Sequence, residues 1–194
     1  MKVILASASP RRKELLAQMG IEFEVRPSVG EEVITKTKPQ EVVKELAYQK
    51  AKEIASAVSE EYDSEEVLRV IGADTIVVYE DTIFGKPKDR EDAHRMLSLF
   101  QGNTHQVYTG VCVIDIGNHT WTEKVFAEKT DVIMNPVSDE ELEQYLDGNE
   151  WRDKAGGYGI QGACGKFIQG IVGDYYNVVG LPIARLYKES FSIS

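Results

Sequence analysis

The chain has 194 residues, 42% of them hydrophobic and 28% charged. That composition excludes a disordered polyelectrolyte and a membrane protein, and it leaves room for one domain, in one or two lobes, over residues 1–194. Lysine and arginine number 22 against 32 aspartates and glutamates, a net charge of −10, which excludes an extended nucleic-acid surface but not a small phosphorylated ligand held by a few local cations.

Lys2 to Ala6 reads as a short buried strand. The first residues carry the lysine and the Ala-Ser-Ala of a signal peptide, but the apolar stretch Val3–Ala6 is shorter than the roughly 7–15 residues of a signal core, so a folded strand is expected. No apolar run approaches the roughly 18 residues of a membrane span. Ser9 is placed as an N-cap with Pro10 at the first helical position, where its missing N–H costs nothing. Leu15, Leu16 and Met19 give that helix an apolar face, and Gly20 ends it. The alternation Ile21–Val25 predicts a half-buried strand. A long helix begins at Pro39 with Val42, Val43, Leu46, Ala47 and Ala51 on one side, and the acidic stretch Ser59–Glu66 is expected to be solvated.

Leu68 to Tyr79 is the most strand-like run, interrupted at Gly72-Ala73-Asp74-Thr75. A turn at Glu80-Asp81 leads into a short strand, Thr82–Phe84, and Asp89–Phe100 is helical by its periodic Ala93, Met96, Leu97 and Phe100. Gln106–Ile116 and Trp121–Met134 read as antiparallel strands about Gly117-Asn118. Ser138 and Glu141 form a capping box, glycine dominates from Gly156 to Gly173, and a final helix follows Pro182. Trp121, Tyr145 and Trp151 are core or interface, with core favoured. Helices and strands alternate along the whole length, which predicts an α/β fold with a mixed, curved sheet.

Cys112 and Cys164 form no CxxC pair, and reduced thiols in the cytoplasm are favoured over a single disulfide in a secreted chain. His94, His105 and His119 lack metal-ligand spacing, and no G-x-S-x-G elbow is present, which weighs against zinc, serine and cysteine chemistry.

Four segments carry other chemistry. Ser7-Ala8-Ser9-Pro10-Arg11-Arg12 lies between a strand and a helix, where free N–H groups, the helix dipole and two guanidinium groups suit an anion. Asp74 is a carboxylate inside the most apolar stretch, where its charge is costly unless paired, hydrogen-bonded or metal-bound. Lys86 is fixed between Gly85 and Pro87, Lys50 lies on the long helix, and Glu32 follows Glu31 in a loop as a candidate oxygen ligand to Mg²⁺. Asp153 to Gly162 places four glycines within seven residues beside Gln161, whose amide can read a base edge. This segment has neither Walker nor dinucleotide-fingerprint spacing.

In order, Leu5-Ala6-Ser7-Ala8-Ser9-Pro10-Arg11-Arg12, Ile71-Gly72-Ala73-Asp74-Thr75, Gly85-Lys86-Pro87, Thr104-His105-Gln106-Val107, Asp153-Lys154-Ala155-Gly156 and Val179-Gly180-Leu181-Pro182 resemble the Maf family of nucleoside triphosphate pyrophosphatases from end to end. The resemblance implies a curved mixed sheet flanked by helices, related to the inosine triphosphate pyrophosphatase architecture, with a nucleotide cleft. It implies cytoplasmic hydrolysis of a nucleoside triphosphate to the monophosphate and pyrophosphate with Mg²⁺ or Mn²⁺, and no nucleic-acid or membrane partner. By motif, Asp74 is the proton acceptor. Arg11, Thr75 and Gln161 match positions of substrate choice, and Ser7, Arg12, Glu32, Lys50 and Lys86 match polar residues around triphosphate and metal, with Glu32 and Asp74 as metal ligands.

Tyr158-Gly159-Ile160-Gln161-Gly162 looks like the branch acting on dTTP and UTP rather than its 7-methyl-GTP sister. Gly30 stands where the family usually has an aliphatic residue, and Gly157 where alanine is common. Homodimerisation is common in such folds, although no residue identifies an interface. Two other readings stay open: a nucleotide-binding regulator of septum formation with weak catalysis, and a pyrophosphatase for purine or modified nucleotides.

Overall fold

The structure is a computed structural model that describes residues 1–59, 61, 67–117 and 120–192. Most of the acidic stretch expected to be solvated, together with Asn118 of the expected turn, lies outside the described residues. In chain order the elements are β1 (Lys2–Leu5), α1 (Pro10–Gln18), β2 (Glu24–Val25), α2 (Pro39–Ser59), β3 (Leu68–Tyr79), β4 (Thr82–Phe84), α3 (Arg90–Phe100), β5 (Thr104–Gly117), β6 (Thr120–Met134), α4 (Asp139–Leu146), two short 3₁₀ turns, β7 (Ile168–Val172), α5 (Tyr175–Val179) and α6 (Ile183–Ser190). The strands form a seven-stranded sheet in the order β2-β1-β3-β5-β6-β7, with β4 paired to β3. The chain is therefore mixed α/β, and among the described residues no helix is long and apolar enough to cross a membrane.

Three local expectations change. Ser9 precedes α1, but its side chain makes no capping bond; its own N–H donates instead to the Ser7 hydroxyl at 3.3 Å. The predicted strand Ile21–Val25 shrinks to Glu24–Val25, paired only with β1 at the sheet edge. β3 runs unbroken through Gly72-Ala73-Asp74-Thr75, so the glycine there reports a close neighbour rather than a break.

The chain divides into two compact units, the first comprising 1–74, 109–128 and 180–194, and the second 75–108 and 129–179. In the first unit β1 pairs in parallel with both β2 and β3. Helix α2 buries Val42, Val43, Leu46, Ala47, Ala51, Ile54, Ala55 and Val58, the one-sided pattern that drives a helix onto a sheet. A cluster of Ile4, Ala47, Ala51, Val70, Cys112 and Ile114 follows from that packing. Two glycines set how near α2 comes. A β-carbon at Gly72 would lie 2.4 Å from the Ala47 carbonyl oxygen, and one at Gly110 would lie 2.1 Å from that of Val43. Strands β3 and β5 thus meet the helix backbone itself.

In the second unit β3 and β4 form an antiparallel hairpin with Tyr79 opposite Thr82. Its turn residues Glu80 and Asp81 both have positive φ, 47° and 62°, as a two-residue hairpin of matching twist requires. Asp89 caps α3 by accepting from the Asp92 N–H, and the Ser138–Glu141 capping box opens α4 as expected. The core gathers Val77, Leu97, Phe100, Leu146, Trp151 and Tyr158; Tyr145 and Trp151 are buried here, whereas Trp121 in the first unit is exposed. His105 lies inside the second core, stacked on Phe100 at 4.7 Å and hydrogen-bonded through Nε2 to the Tyr158 hydroxyl at 2.6 Å.

Gly110→Ala should lower the unfolding free energy in urea by about 1–3 kcal/mol or more, because the new methyl group overpacks against backbone; unchanged stability would refute the close packing of β5 on α2. Burial lowers the His105 pKa from 6.5 to about 4. The unfolded chain therefore binds this proton more readily, and the contribution is complete above pH 6.5 and lost as pH falls towards 4. The loss should reach about 3 kcal/mol in the wild type and be missing from the pH profile of His105→Gln.

Candidate active site

The first unit brings together six of the residues singled out in the sequence. Ser7 follows β1 and is held by the strand pairing, since the neighbouring Ala6 N–H donates to the Ile71 carbonyl at 2.8 Å. Its hydroxyl accepts from Arg12 Nη1 at 3.2 Å. Arg12 Nε donates to the Gly180 carbonyl at 2.9 Å, so the guanidinium is gripped from two sides. Gly180 adopts a φ of 125°, a conformation that side-chain-bearing residues rarely tolerate. That is the structural content of the Val179-Gly180-Leu181-Pro182 motif. Burial lowers the Arg12 pKa and nearby Arg11 lowers it further, while the charges of Asp74 and Glu32 oppose both. The four groups thus share one electrostatic neighbourhood.

Asp74 is 9% exposed within β3. Its partner is Lys50 of α2, whose Nζ donates to Asp74 Oδ1 at 2.5 Å. The same ammonium lies 2.9 Å from Glu32 Oε1, so Lys50 bridges a carboxylate on a strand and another on a loop. The close approach of α2 at Gly72 puts Lys50 in reach of Asp74, two residues along β3. Lys50, marked in the sequence only by its place on the long helix, joins the two carboxylates. The periodicity of α2 marks its buried face but does not reveal what the rest of the helix meets.

Counting formal charges, Arg11, Arg12 and Lys50 outweigh Asp74 and Glu32 by one. These five groups thus sum to one positive charge within a chain of net charge −10. Their chemistry suits polyanions: guanidinium groups offer paired donors to phosphate oxygens, and the positive end of the α1 dipole lies in the same turn as Arg11 and Arg12.

Thr75, Lys86 and Gln161 belong to the second unit. There the Gly156 N–H donates to the Gly85 carbonyl at 2.9 Å, which joins the Gly85-Lys86-Pro87 connection to the glycine-rich segment. The His105–Tyr158 bond ties that segment to the start of β5. Lys86 and Gln161 are both exposed. At Gly162, next to Gln161, a side chain would displace the Glu150 carboxylate: a β-carbon would lie 2.1 Å from Glu150 Oε2, and the same oxygen accepts from the Ala163 N–H at 2.9 Å. His105, Tyr158 and Glu150 thus shape the segment carrying Gln161. Sequence reading missed their part, since no spacing rule links His105 to Tyr158 across 53 residues.

Among the described residues no group of three or more His, Cys, Asp or Glu side chains is placed to hold a metal ion. Mg²⁺ needs fewer, because it is usually held by one or two carboxylates with water and substrate phosphates completing the shell. Asp74 and Glu32 already converge on one cation, the Lys50 ammonium. Their hard oxygen donors fit a divalent ion of that class.

The family model described as Maf-like protein matches residues 2–190. A dTTP/UTP pyrophosphatase of Agathobacter rectalis is 55% identical over 196 residues, covering 97% of this chain and 95% of the relative. One of Alkaliphilus oremlandii is 50% identical over 186 residues, covering 95% and 92%, and one of Bacillus cereus 48% over 191 residues, covering 97% and 93%. Among solved structures, the Ham1 protein of Staphylococcus aureus is 14% identical, covers 69% of this chain and 72% of its own, and superposes with a TM-score of 0.40, a likeness too distant to argue from. With its family model matched from residue 2 to residue 190, the chain belongs to the Maf family.

Proposed function

We propose that this chain hydrolyses nucleoside triphosphates, dTTP and UTP foremost, to the monophosphate and pyrophosphate, acting on the cytoplasmic nucleotide pool. The observation that carries the reading is the Glu32–Lys50–Asp74 arrangement beside Arg12, a buried base poised among cations in the first unit. The names of the relatives, each a dTTP/UTP pyrophosphatase, support the choice of substrate.

The reaction asks for a base near the attacking water and for positive charge where the leaving pyrophosphate gathers its electrons. Asp74 is the base. In the free protein its charge is spent on Lys50, and a triphosphate brings oxygens that compete for the same ammonium. Moving Lys50 from Asp74 to a phosphate oxygen frees the carboxylate to take the water's proton and puts a cation on the leaving group at once. Arg11 and Arg12, with Ser7 as a neutral donor, hold further phosphate oxygens in place, the electrostatic assistance that usually dominates such catalysis. Lys86 is assigned to the same anionic tail.

Glu32 and Asp74 are the residues that would hold Mg²⁺ or Mn²⁺. The ion supplies further neutralisation of the phosphates and a template for the substrate. Gln161 reads a pyrimidine edge through its amide, with Thr75 contributing to substrate choice. Gly159 and Gly162 on either side of Gln161 let the Lys154 and Glu150 side chains pack against this backbone and hold the segment that presents its amide. The chain is read as one catalytic domain over residues 1–194.

A nucleoside triphosphate panel with Mg²⁺, assayed for pyrophosphate, should give strongest release from dTTP and UTP. Binding without release would favour a regulator, and a purine or modified-nucleotide preference would overturn the substrate assignment. Asp74→Asn should cut turnover by about a hundredfold or more while calorimetry still detects nucleotide binding; retained turnover would remove Asp74 as the base. Gln161→Ala should reduce kcat/KM for dTTP by about tenfold, with little change for nucleotides the wild type already handles poorly. An unchanged preference would sink that role.

A further inference from the structure

Glu32 lies in a stretch, residues 28–36, that has neither helix nor strand, yet its backbone is bonded along one face of α2. Glu53 accepts from the N–H groups of Val29 and Gly30, at 3.0 and 3.1 Å, and from the Ser28 hydroxyl at 2.5 Å. Gln49 makes a reciprocal pair with Val33, accepting from its N–H at 3.0 Å and donating to its carbonyl at 2.6 Å. Glu45 accepts from the N–H and the hydroxyl of Thr35, at 2.9 and 2.5 Å. Residues 45, 49 and 53 recur every four positions, so they stack on one side of the helix.

Hydrophobic burial does not hold this strap, because its apolar side chains point outward: Val29 is 89% exposed, Val33 54% and Ile34 58%. The side-chain ladder of α2 holds it instead, and Glu32 sits between the Gly30 and Val33 attachments with its carboxylate on Lys50. Gly30 fits the same scheme, since a β-carbon there would lie 2.8 Å from Glu53 Oε2. A side chain there would displace the Glu53 carboxylate that accepts from the strap amides.

We infer that Gln49, Glu53 and Glu45 are positioning residues that clamp the 28–36 strap onto α2 and so keep the Glu32 carboxylate beside Lys50, where it completes a divalent-cation site with Asp74. The inference rests on the cation-assisted reaction proposed above, and it assigns a task to three side chains that the reaction itself does not use.

The test uses the full chain with Mn²⁺ and a non-hydrolysable α,β-imido analogue of dTTP. In Gln49→Ala, Glu53→Ala and the double variant, Mn²⁺ affinity should fall by about tenfold or more, the usual effect of removing groups that orient a ligand. Amide hydrogen exchange at residues 29–35 should accelerate in the same variants. Gly30→Ala should shift both readouts in the same direction, and Glu53→Gln, which keeps an acceptor for the amides, should recover most of the affinity. Glu41→Ala, which removes only the ion pair with Lys44 on the same helix, should match the wild type in both. Mn²⁺ affinity within about twofold of wild type in the double variant, with strap exchange accelerated, would overturn the inference. Both readouts need no turnover. A wild type that bound Mn²⁺ and analogue but released no pyrophosphate would refute the proposed reaction while leaving the role of the strap supported.

Discussion

A carboxylate charge inside an apolar strand is the constraint around which this protein is arranged. Removing such a charge from water costs several kcal/mol, recovered only when a well-placed partner answers it. Asp74 is that charge and Lys50 is the answer, at 2.5 Å. The contact needs α2 to lie against β3 at backbone distance, which in turn needs glycine at Gly72 and again at Gly110 on β5. Packing and chemistry are therefore one problem in the first unit: the two glycines that admit the helix also deliver the ammonium.

The arrangement also sets the resting state of the site. Lys50 is shared between Asp74 and Glu32, and Arg12 feels both carboxylates while being gripped by Ser7 and Gly180. Arg12 is thus fixed before any anion arrives, while Lys50 rests on the two carboxylates that an incoming phosphate would compete with. The net charge of −10 describes the chain as a whole; Arg11, Arg12, Lys50, Asp74 and Glu32 together sum to one positive charge.

Much of this was legible in the sequence because it was written in local patterns. The apolar run around Asp74, the Pro10-Arg11-Arg12 helix start and the Gly85-Lys86-Pro87 connection each announce a constraint within a few residues. Contacts between distant segments were not legible. Gly72 was read as an interruption of β3, since a glycine in a strand looks the same whether it breaks the strand or admits a helix. Ser9 was read as a cap because its type and place fit, but its own N–H is turned to the Ser7 hydroxyl. The importance of Lys50, the Arg12–Gly180 clamp and the His105–Tyr158 bond depends on pairings across many residues, which periodicity does not encode. Glu45, Gln49 and Glu53 carry a visible four-residue repeat, but nothing in it says that a strap lies alongside.

Turnover of dTTP in ¹⁸O-enriched water, followed by mass spectrometry of both products, asks directly where the water activated by Asp74 attacks. Attack at the α-phosphorus places the label in thymidine monophosphate and leaves the pyrophosphate unlabelled. Label in the pyrophosphate, or in orthophosphate, would mean that water attacks a different phosphorus and would contradict the assignment of Asp74 and its cations to this reaction.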